Sequence, residues 1–300
     1  MASESLQWRQ ELSRRITSQK LLEQSTTLSP EERAYFSCAG NHTSPPLAVT
    51  EYYLSLLKEG PRDPLRKQCI PDVREFTVKP YESADPLYEK SFSPIKRMVH
   101  RYRDRVLILV SDRCALYCRH CFRRHFAGRE KGFLQGDEAE RIARYIRDHK
   151  EVHEIILSGG DPLMMGDEQL QELLALLEPP RPRVFRLATR MPVVLPSRIT
   201  GSLIEMLSQF KPLWIVTQFN HPREITGESS SALSAFLEKG IPVLNQTVLL
   251  KEINDDSRIL ASLFQKLIER GVKPYYLFQG DLAAGTSHFR VPLEKAFTLY

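Results

Sequence analysis

One short stretch, Leu107–His125, constrains this chain more than any other, because a buried strand leads there directly into three cysteines. The apolar run Val106–Val110 is typical of a parallel strand that is covered on both faces. After it come Cys114, Cys118 and Cys121, with the spacing C-x3-C-x2-C. Three thiolates on one loop can each bind one iron of a [4Fe–4S] cube, which leaves the fourth iron open to a substrate. The spacing therefore favours a reactive cluster over one that only carries electrons.

Two other interpretations of the cysteines stay open at this point. A structural zinc site would need a fourth ligand, which His120 or His125 could supply. The thiols could also be buried simply as small apolar side chains. Phe122, directly after the third cysteine, is more typical of a cluster loop than of a zinc knuckle, as are the arginines around it. Cys38 and Cys69 are expected to be ordinary thiols, and three clustered cysteines out of five indicate metal chemistry in a reducing cytosol.

These motifs resemble those of a known enzyme family. An aromatic residue beside the last cysteine of C-x3-C-x2-C is similar to the signature of radical S-adenosylmethionine enzymes, and the longer segment CALYCRHCFRRHFAGRE resembles the lysine 2,3-aminomutase family. The similarity extends from about Trp8 to Tyr300. It implies that the three cysteines bind a [4Fe–4S] cluster, that S-adenosylmethionine binds at the open iron, and that pyridoxal 5′-phosphate is a further cofactor.

Length and charge set the outer limits. A length of 300 residues suits one large α/β barrel with an accessory element, or two smaller domains. The formal charge of +5 is small and the basic residues are spread along the chain, so a nucleic-acid partner is not expected. The N-terminus lacks an apolar signal-peptide core, and no stretch approaches membrane-spanning length. We therefore expect a cytoplasmic protein without a membrane partner.

From residue 106 onward, apolar strands alternate with amphipathic helices. The pattern predicts strands near 106–111, 153–158, 184–189, 213–219, 242–249 and 274–280, and helices near 137–149, 167–177, 200–209, 229–239 and 257–270. Six such units form either an open doubly wound sheet or a partial parallel barrel, and the pattern alone does not choose between them. The resemblance implies an α/β fold in which residues 96–300 form a partial (β/α)6 parallel barrel.

The first 95 residues are expected to be an N-terminal helical and extended region. Apolar residues between Leu6 and Leu22 can share one helix face, and Ser29-Pro30 is typical of a helix start. A further helix is expected at 50–57. Frequent prolines predict extended chain from 61 to 94.

A turn with two glycines, Ser158-Gly159-Gly160-Asp161, follows the second of the predicted strands. Glycines let a backbone edge approach a ligand closely, although a tight strand-to-helix turn would use the same residues. The resemblance implies that Ser158, Gly159, Gly160 and Asp161 receive the methionyl amino group of S-adenosylmethionine. Polar residues also end two later strands, and there we expect Gln246 to contact the adenosine part.

Arginines around the cysteines are candidates for binding anions. Arg123 follows the third cysteine by two residues, and a guanidinium can hold a carboxylate with two parallel hydrogen bonds. The resemblance places Arg123 on the α-carboxylate of the substrate. It also places contacts to pyridoxal phosphate near Arg101 and Tyr102, although these residues could simply begin a salt-bridged strand.

Asp281 follows the last predicted strand. A carboxylate at the mouth of a parallel barrel can meet a cation, although aspartate is also a common helix cap. In lysine aminomutases the matching aspartate receives the ε-ammonium of lysine, and glutamate-specific relatives carry something other than an acid there. The segment Gln279–Arg290 keeps the pattern QxDLxxGxxHFR, from which close relatives that modify a translation factor depart. The resemblance therefore implies free lysine as the substrate.

Taken together, the resemblance implies an isomerase that interconverts L-lysine and β-lysine by moving the amino group from C2 to C3, started by a 5′-deoxyadenosyl radical. Its expected partners are an amino acid substrate, an electron donor such as a flavodoxin or ferredoxin, and further copies of the chain in a homo-oligomer. Three alternatives stay open: an enzyme that makes β-lysine for modification of a translation elongation factor, a radical enzyme acting on another amino acid, and a non-catalytic metal-binding module.

One departure from the family concerns pyridoxal phosphate. The family holds this cofactor on a lysine in a glycine-rich segment downstream of the last strand, and nothing after Asp281 resembles that segment. We therefore expect the chain to be a fragment from which the cofactor lysine is missing. No catalytic residue beyond the cofactors is predicted.

Overall fold

The computed structural model describes residues 2–38, 44–130, 132–178 and 183–299. Within them one sheet contains seven strands in the order of the chain. The first pair is antiparallel and every later pair is parallel. The strands are β1 (Met98–Tyr102), β2 (Arg105–Ser111), β3 (Glu154–Gly159), β4 (Val184–Ala188), β5 (Leu213–Thr217), β6 (Val243–Leu249) and β7 (Lys273–Gln279).

The order of the strands decides between the two predicted architectures. A doubly wound sheet reverses its strand order at a switch point, whereas a barrel adds each new strand beside the previous one. Here β2 to β7 follow one another without a reversal, which confirms a partial (β/α)6 barrel. All six predicted strands are observed within two residues of their expected ends. The antiparallel strand β1, which extends the sheet at its first edge, was not predicted.

Helices between the strands cover the outside of the sheet. The five predicted helices are observed, again within two residues at each end. On the helix Asp167–Leu177, for example, the buried side chains are leucines at helical spacing: Leu170, Leu173, Leu174 and Leu177. The helices of this part are α6 (Gly136–Asp148), α7 (Asp167–Leu177), α8 (Met191–Val194), α9 (Gly201–Leu207), α10 (Gly227–Glu238), α11 (Ser257–Glu269) and α12 (Leu293–Leu299).

The region before β1 is helical, but its first helix is shorter than the apolar spacing predicts. Ile16 leaves the helical conformation and exchanges two backbone hydrogen bonds with Val49. Leu6 and Leu21 are exposed instead of buried, so the prediction of one shared helix face was wrong. The helices of this region are α1 (Ala2–Ser13), α2 (Gln19–Ser25), α3 (Pro30–Ser37), α4 (Glu51–Ser55) and α5 (Pro64–Cys69).

Local capping explains where these helices begin. Ser29 and Glu32 cap each other's backbone N–H groups at the start of α3, as predicted from the Ser-Pro pair. Pro64 occupies the first turn of α5, where a missing N–H costs nothing. The prolines predicted extended chain over the whole of 61–94, but part of this segment is helical. The boundary between the two regions near residue 95 stays a prediction.

The sheet is open between its first and last strands. Over the described residues, β7 pairs with β6 and not with β1. Just beyond β7, the backbone of Ser83 donates to Leu282 and accepts from Ala284, at N–O distances of 2.8 and 2.9 Å. The N-terminal region therefore packs against the open side of the barrel. None of the described helices has the length and apolar character needed to cross a membrane.

Candidate active site

The three cysteines lie on the loop after β2, at the carboxyl ends of the parallel strands. Cys114, Cys118 and Cys121 are all half-buried and none forms a disulfide. Burial raises the pKa of the Cys114 thiol, and it raises the pKa of Cys121 to about 11. Thiols in such surroundings lose their protons when a metal binds them. The loop is therefore suited to a metal centre and not to a free reactive thiolate.

The spacing of the thiols argues against a preformed site for a single zinc ion. Zinc–sulfur bonds of about 2.3 Å place the ligand sulfurs of one tetrahedral ion about 3.8 Å apart. Among the residues that the structure describes, the three sulfurs do not all lie within 4.8 Å of one another, and neither do two of them together with His120 or His125. A cube assigns each thiolate to a different iron and so requires wider spacing. The donor set fits a [4Fe–4S] cluster.

Arg190, which was not predicted from the sequence, contacts one of these three sulfurs. Its Nη1 donates to Cys118 Sγ at 2.8 Å, and the residue is 8% exposed. Its Nη2 donates to Gln68 and to Glu224, both at 2.7 Å. The only sequence signal is an arginine directly after a predicted buried strand, where the barrel architecture places functional residues.

The glycine turn after β3 packs directly on the cysteine loop. A Cβ atom on Gly159 would lie 2.3 Å from the carbonyl oxygen of Ser111, and one on Gly160 would lie 2.4 Å from that of Arg113. Both contacts are far shorter than real Cβ contacts, so glycine is required at both positions. The close approach is between two backbone segments, which is what the alternative of a tight strand-to-helix turn predicts.

Asp161 of the same turn faces protein groups. Its carboxylate accepts hydrogen bonds from Thr189 Oγ1 and from the backbone N–H of Arg190, each at 2.8 Å. Burial raises the pKa of Asp161 to about 6, and these hydrogen bonds oppose that rise. Asp161 therefore ties the end of β3 to the end of β4. Its predicted contact with S-adenosylmethionine, like those of Ser158 and the two glycines, stays a prediction.

Arg123 joins the cysteine loop to the glycine turn. Its Nη1 donates to Ser158 Oγ at 3.1 Å. The Nε and Nη2 edge holds the carboxylate of Glu89, at 3.0 and 2.6 Å from Oε1. A guanidinium can bind a second carboxylate through its Nη1 and Nη2 end. The side edge of Arg123 is therefore filled from within the protein, and the end that faces Ser158 is where a substrate could bind.

Asp281 lies in the same part of the molecule as Arg123. Burial raises the pKa of its carboxyl, the positive charge of Arg123 lowers it, and the negative charge of Glu89 raises it again. The side chain is half-buried. A carboxylate that has lost part of its hydration is stabilised by a cation, so this position favours an ammonium group.

Three predicted residues lie elsewhere. Tyr102 pairs with Arg105 at the amino end of β2, opposite the cysteine loop, and is 61% exposed. Arg101 donates to the carbonyl oxygen of Leu87 at 3.2 Å. Gln246 lies within β6 beside Tyr276. The structure does not group these residues with the cysteines, and their cofactor contacts stay predictions.

Other polar residues at strand ends hold loops together. Asn245 binds both the N–H and the C=O of Phe219. Asn220 donates to Gln68 Oε1 and accepts from the backbone of Val248. In this structure these two buried amides therefore satisfy neighbouring backbone groups and the side chain of Gln68.

Comparison with known proteins places the chain in a family. Residues 108–263 match the model of the Radical SAM superfamily. The L-lysine 2,3-aminomutase of Clostridium subterminale is 41% identical over 294 residues, which cover 97% of this chain and 70% of that protein. The chain belongs to the lysine 2,3-aminomutase family of radical S-adenosylmethionine enzymes. Family membership confirms the predicted enzyme class, an isomerase. It also confirms the family's cofactors, which are a [4Fe–4S] cluster, S-adenosylmethionine and pyridoxal phosphate.

Overall similarity does not identify the substrate. A glutamate 2,3-aminomutase of Clostridioides difficile is 37% identical over 291 residues, covering 96% of this chain and 68% of that protein. The structure of Streptococcus suis SuiB bound to S-adenosylmethionine has a TM-score of 0.51 at 20% identity, covering 64% of this chain and 45% of that one. This neighbour shares the fold only.

The packing of the glycine turn leads to a first prediction. Gly160→Ala should lower the iron content after anaerobic reconstitution, because the new Cβ would displace the backbone of Arg113 in the cysteine loop. Gly227→Ala is the matched control, since its Cβ would meet nothing within 4 Å. Iron analysis and far-ultraviolet circular dichroism measure the two effects. A Gly160→Ala protein with full iron content would show that the loop does not depend on this contact.

Proposed function

We propose that this chain isomerises L-lysine to β-lysine in a site between the cysteine loop, the glycine turn and Asp281. The observation that carries the proposal is the position of Arg123. This residue extends from the cysteine loop to Ser158, and its charge acts on the carboxyl of Asp281. A guanidinium and a carboxylate in one site are complementary to the carboxylate and the side-chain ammonium of lysine.

The cluster is proposed to form on Cys114, Cys118 and Cys121, with S-adenosylmethionine beside the glycine turn. When bound, the cluster and S-adenosylmethionine supply a 5′-deoxyadenosyl radical, which requires one electron. That electron is proposed to come from a separate donor such as a flavodoxin or ferredoxin. The chain's own contribution is to hold the three sulfurs apart on a loop that the glycine turn supports.

Arg123 is proposed to orient the substrate. Glu89 fixes the plane of the guanidinium through its Nε and Nη2 edge, so the Nη1 and Nη2 end points in one direction. A substrate carboxylate there would be aligned by two parallel hydrogen bonds, and Ser158 would share Nη1. Such alignment limits the freedom of the amino acid before the radical forms.

Asp281 is proposed to select a cationic side chain. Glutamate would bring a second negative charge to a half-buried carboxylate, whereas the ammonium of lysine would neutralise it. Pyridoxal phosphate belongs to the chemistry of the family. Arg123, Glu89, Ser158 and Asp281 offer no amine that could hold it, so these four residues are proposed to bind the substrate alone.

The decisive experiment incubates the reconstituted protein with a reductant, S-adenosylmethionine, pyridoxal phosphate and either lysine or glutamate. Formation of β-lysine alone supports the proposal. Formation of β-glutamate would contradict the assignment of the substrate.

A second prediction concerns the ligands of the cluster. Replacing Cys114, Cys118 or Cys121 singly by alanine should prevent assembly of a full cluster, because each thiolate binds a different iron. Iron analysis and electron paramagnetic resonance of the reduced protein measure the loss. Cys38→Ala is the control, since Cys38 is exposed. A complete cluster in any one of the three variants would refute the assignment of that cysteine.

A third prediction separates substrate binding from radical formation. Arg123→Lys should weaken lysine binding far more than reductive cleavage of S-adenosylmethionine, because a point charge cannot replace a fork of two parallel donors. Calorimetry and the yield of 5′-deoxyadenosine measure the two effects. The exposed Arg144→Lys is the control. Equal losses in both measurements would mean that Arg123 supports the cluster instead.

A fourth prediction tests the cation site. Asp281→Asn should weaken lysine binding roughly ten- to a hundredfold, the loss of one charge-assisted contact of roughly 1.5–3 kcal/mol. The pKa of Asp281 is raised, so its carboxylate becomes protonated at a higher pH than that of an ordinary aspartate. As the pH is lowered, the unmodified protein should therefore begin to lose lysine binding earlier than an ordinary aspartate would predict. The exposed Asp148→Asn is the control. Unchanged lysine affinity in Asp281→Asn would remove the basis for the lysine assignment.

A further inference from the structure

The contact between Arg190 and Cys118 has a consequence for the electron chemistry of the site. Four hydrogen bonds fix the guanidinium of Arg190. Besides the bond from Nη1 to Cys118 Sγ at 2.8 Å, Nε donates to the carbonyl oxygen of Gln218 at 3.1 Å. Nη2 donates to Gln68 Oε1 and Glu224 Oε1, both at 2.7 Å. The cation is thus held against one predicted cluster ligand and cannot turn away without breaking the other three bonds.

Glu224 is the counter-charge of this cation. It is fully buried, and besides Arg190 it accepts hydrogen bonds from Tyr53 Oη at 2.7 Å and from the backbone N–H of Asn220 at 2.6 Å. A buried ion pair interacts strongly with charges near it because little water screens them. The charges of Arg190 and Glu224 therefore both change the electrostatic potential at Cys118, and they do so with opposite signs.

We propose that Arg190 raises the reduction potential of the cluster through Cys118 Sγ and that Glu224 limits this rise. The proposal rests on the cluster assignment in the proposed function. Reduction adds one electron from an external donor to the cluster and its thiolates, so their total charge becomes more negative by one. A cation and an N–H donor at a ligand sulfur stabilise the reduced form more than the oxidised form. Arg190 acts on the cluster through a ligand and is thus a positioning residue.

Neutralising either partner of the ion pair should shift the midpoint potential of the cluster, in opposite directions for the two partners. A purely structural role would not predict opposite shifts. Arg190→Gln removes the positive charge and should lower the midpoint potential. Glu224→Gln removes the negative charge while keeping an acceptor, and should raise it. Arg190→Lys keeps the charge without the fixed fork and should lie between Arg190→Gln and the unmodified protein. Loss of packing alone would reduce the cluster content of either variant without shifting the potential in opposite directions.

The experiment is a redox titration of the anaerobically reconstituted full chain with dithionite, without S-adenosylmethionine, followed by electron paramagnetic resonance. The exposed Arg144→Gln serves as the control and should keep the potential of the unmodified protein. Equal potentials in Arg190→Gln and the unmodified protein, or shifts of the same sign in Arg190→Gln and Glu224→Gln, would overturn the proposal. If Arg190→Gln assembles no cluster, Glu224→Gln decides, and an unchanged potential there overturns the proposal. An unmodified protein without any cluster would contradict the cluster assignment itself.

Discussion

The buried carboxylate of Glu75 is the contact on which the site most depends. It holds two arginines of the cysteine loop, Arg119 and Arg124, at 2.7 and 2.6 Å, and its side chain is fully buried. Arg124 also donates to the carbonyl oxygen of Ala284, in the loop after β7. Removing one partner from such a buried set costs about 3–5 kcal/mol, because the remaining charges lose their compensation. Glu75 thus joins the N-terminal region, the cysteine loop and the end of the barrel.

The same principle recurs around the loop. Two arginines that contact the site are each matched by an acid from another part of the chain: Arg123 by Glu89 and Arg190 by Glu224. Arginine suits this use because one edge of its planar group can satisfy an internal acid while another edge contacts a sulfur or a substrate. The acids keep the guanidinium groups in place before any ligand binds. The site is therefore preorganised by the protein's own ion pairs.

This arrangement also explains why the N-terminal region belongs to the site. Glu75 and Glu89 both lie before β1, and Gln68, which binds Arg190, lies there as well. None of these three residues was predicted as functional, since each is a common polar residue in a stretch without a motif. Their importance comes only from the arginines that they contact.

The alternation of strands and helices, the cysteine loop and the glycine turn could all be predicted from the sequence. These features follow from periodicity and from local chemistry, which neighbouring residues express directly. The strand order, the break at Ile16 and the partners of the buried charges became visible only in the folded chain. Arg123 and Glu89 are 34 residues apart, and Arg190 and Cys118 are 72 apart. Pairings over such distances depend on how the strands are assembled, and no local pattern in the chain records them.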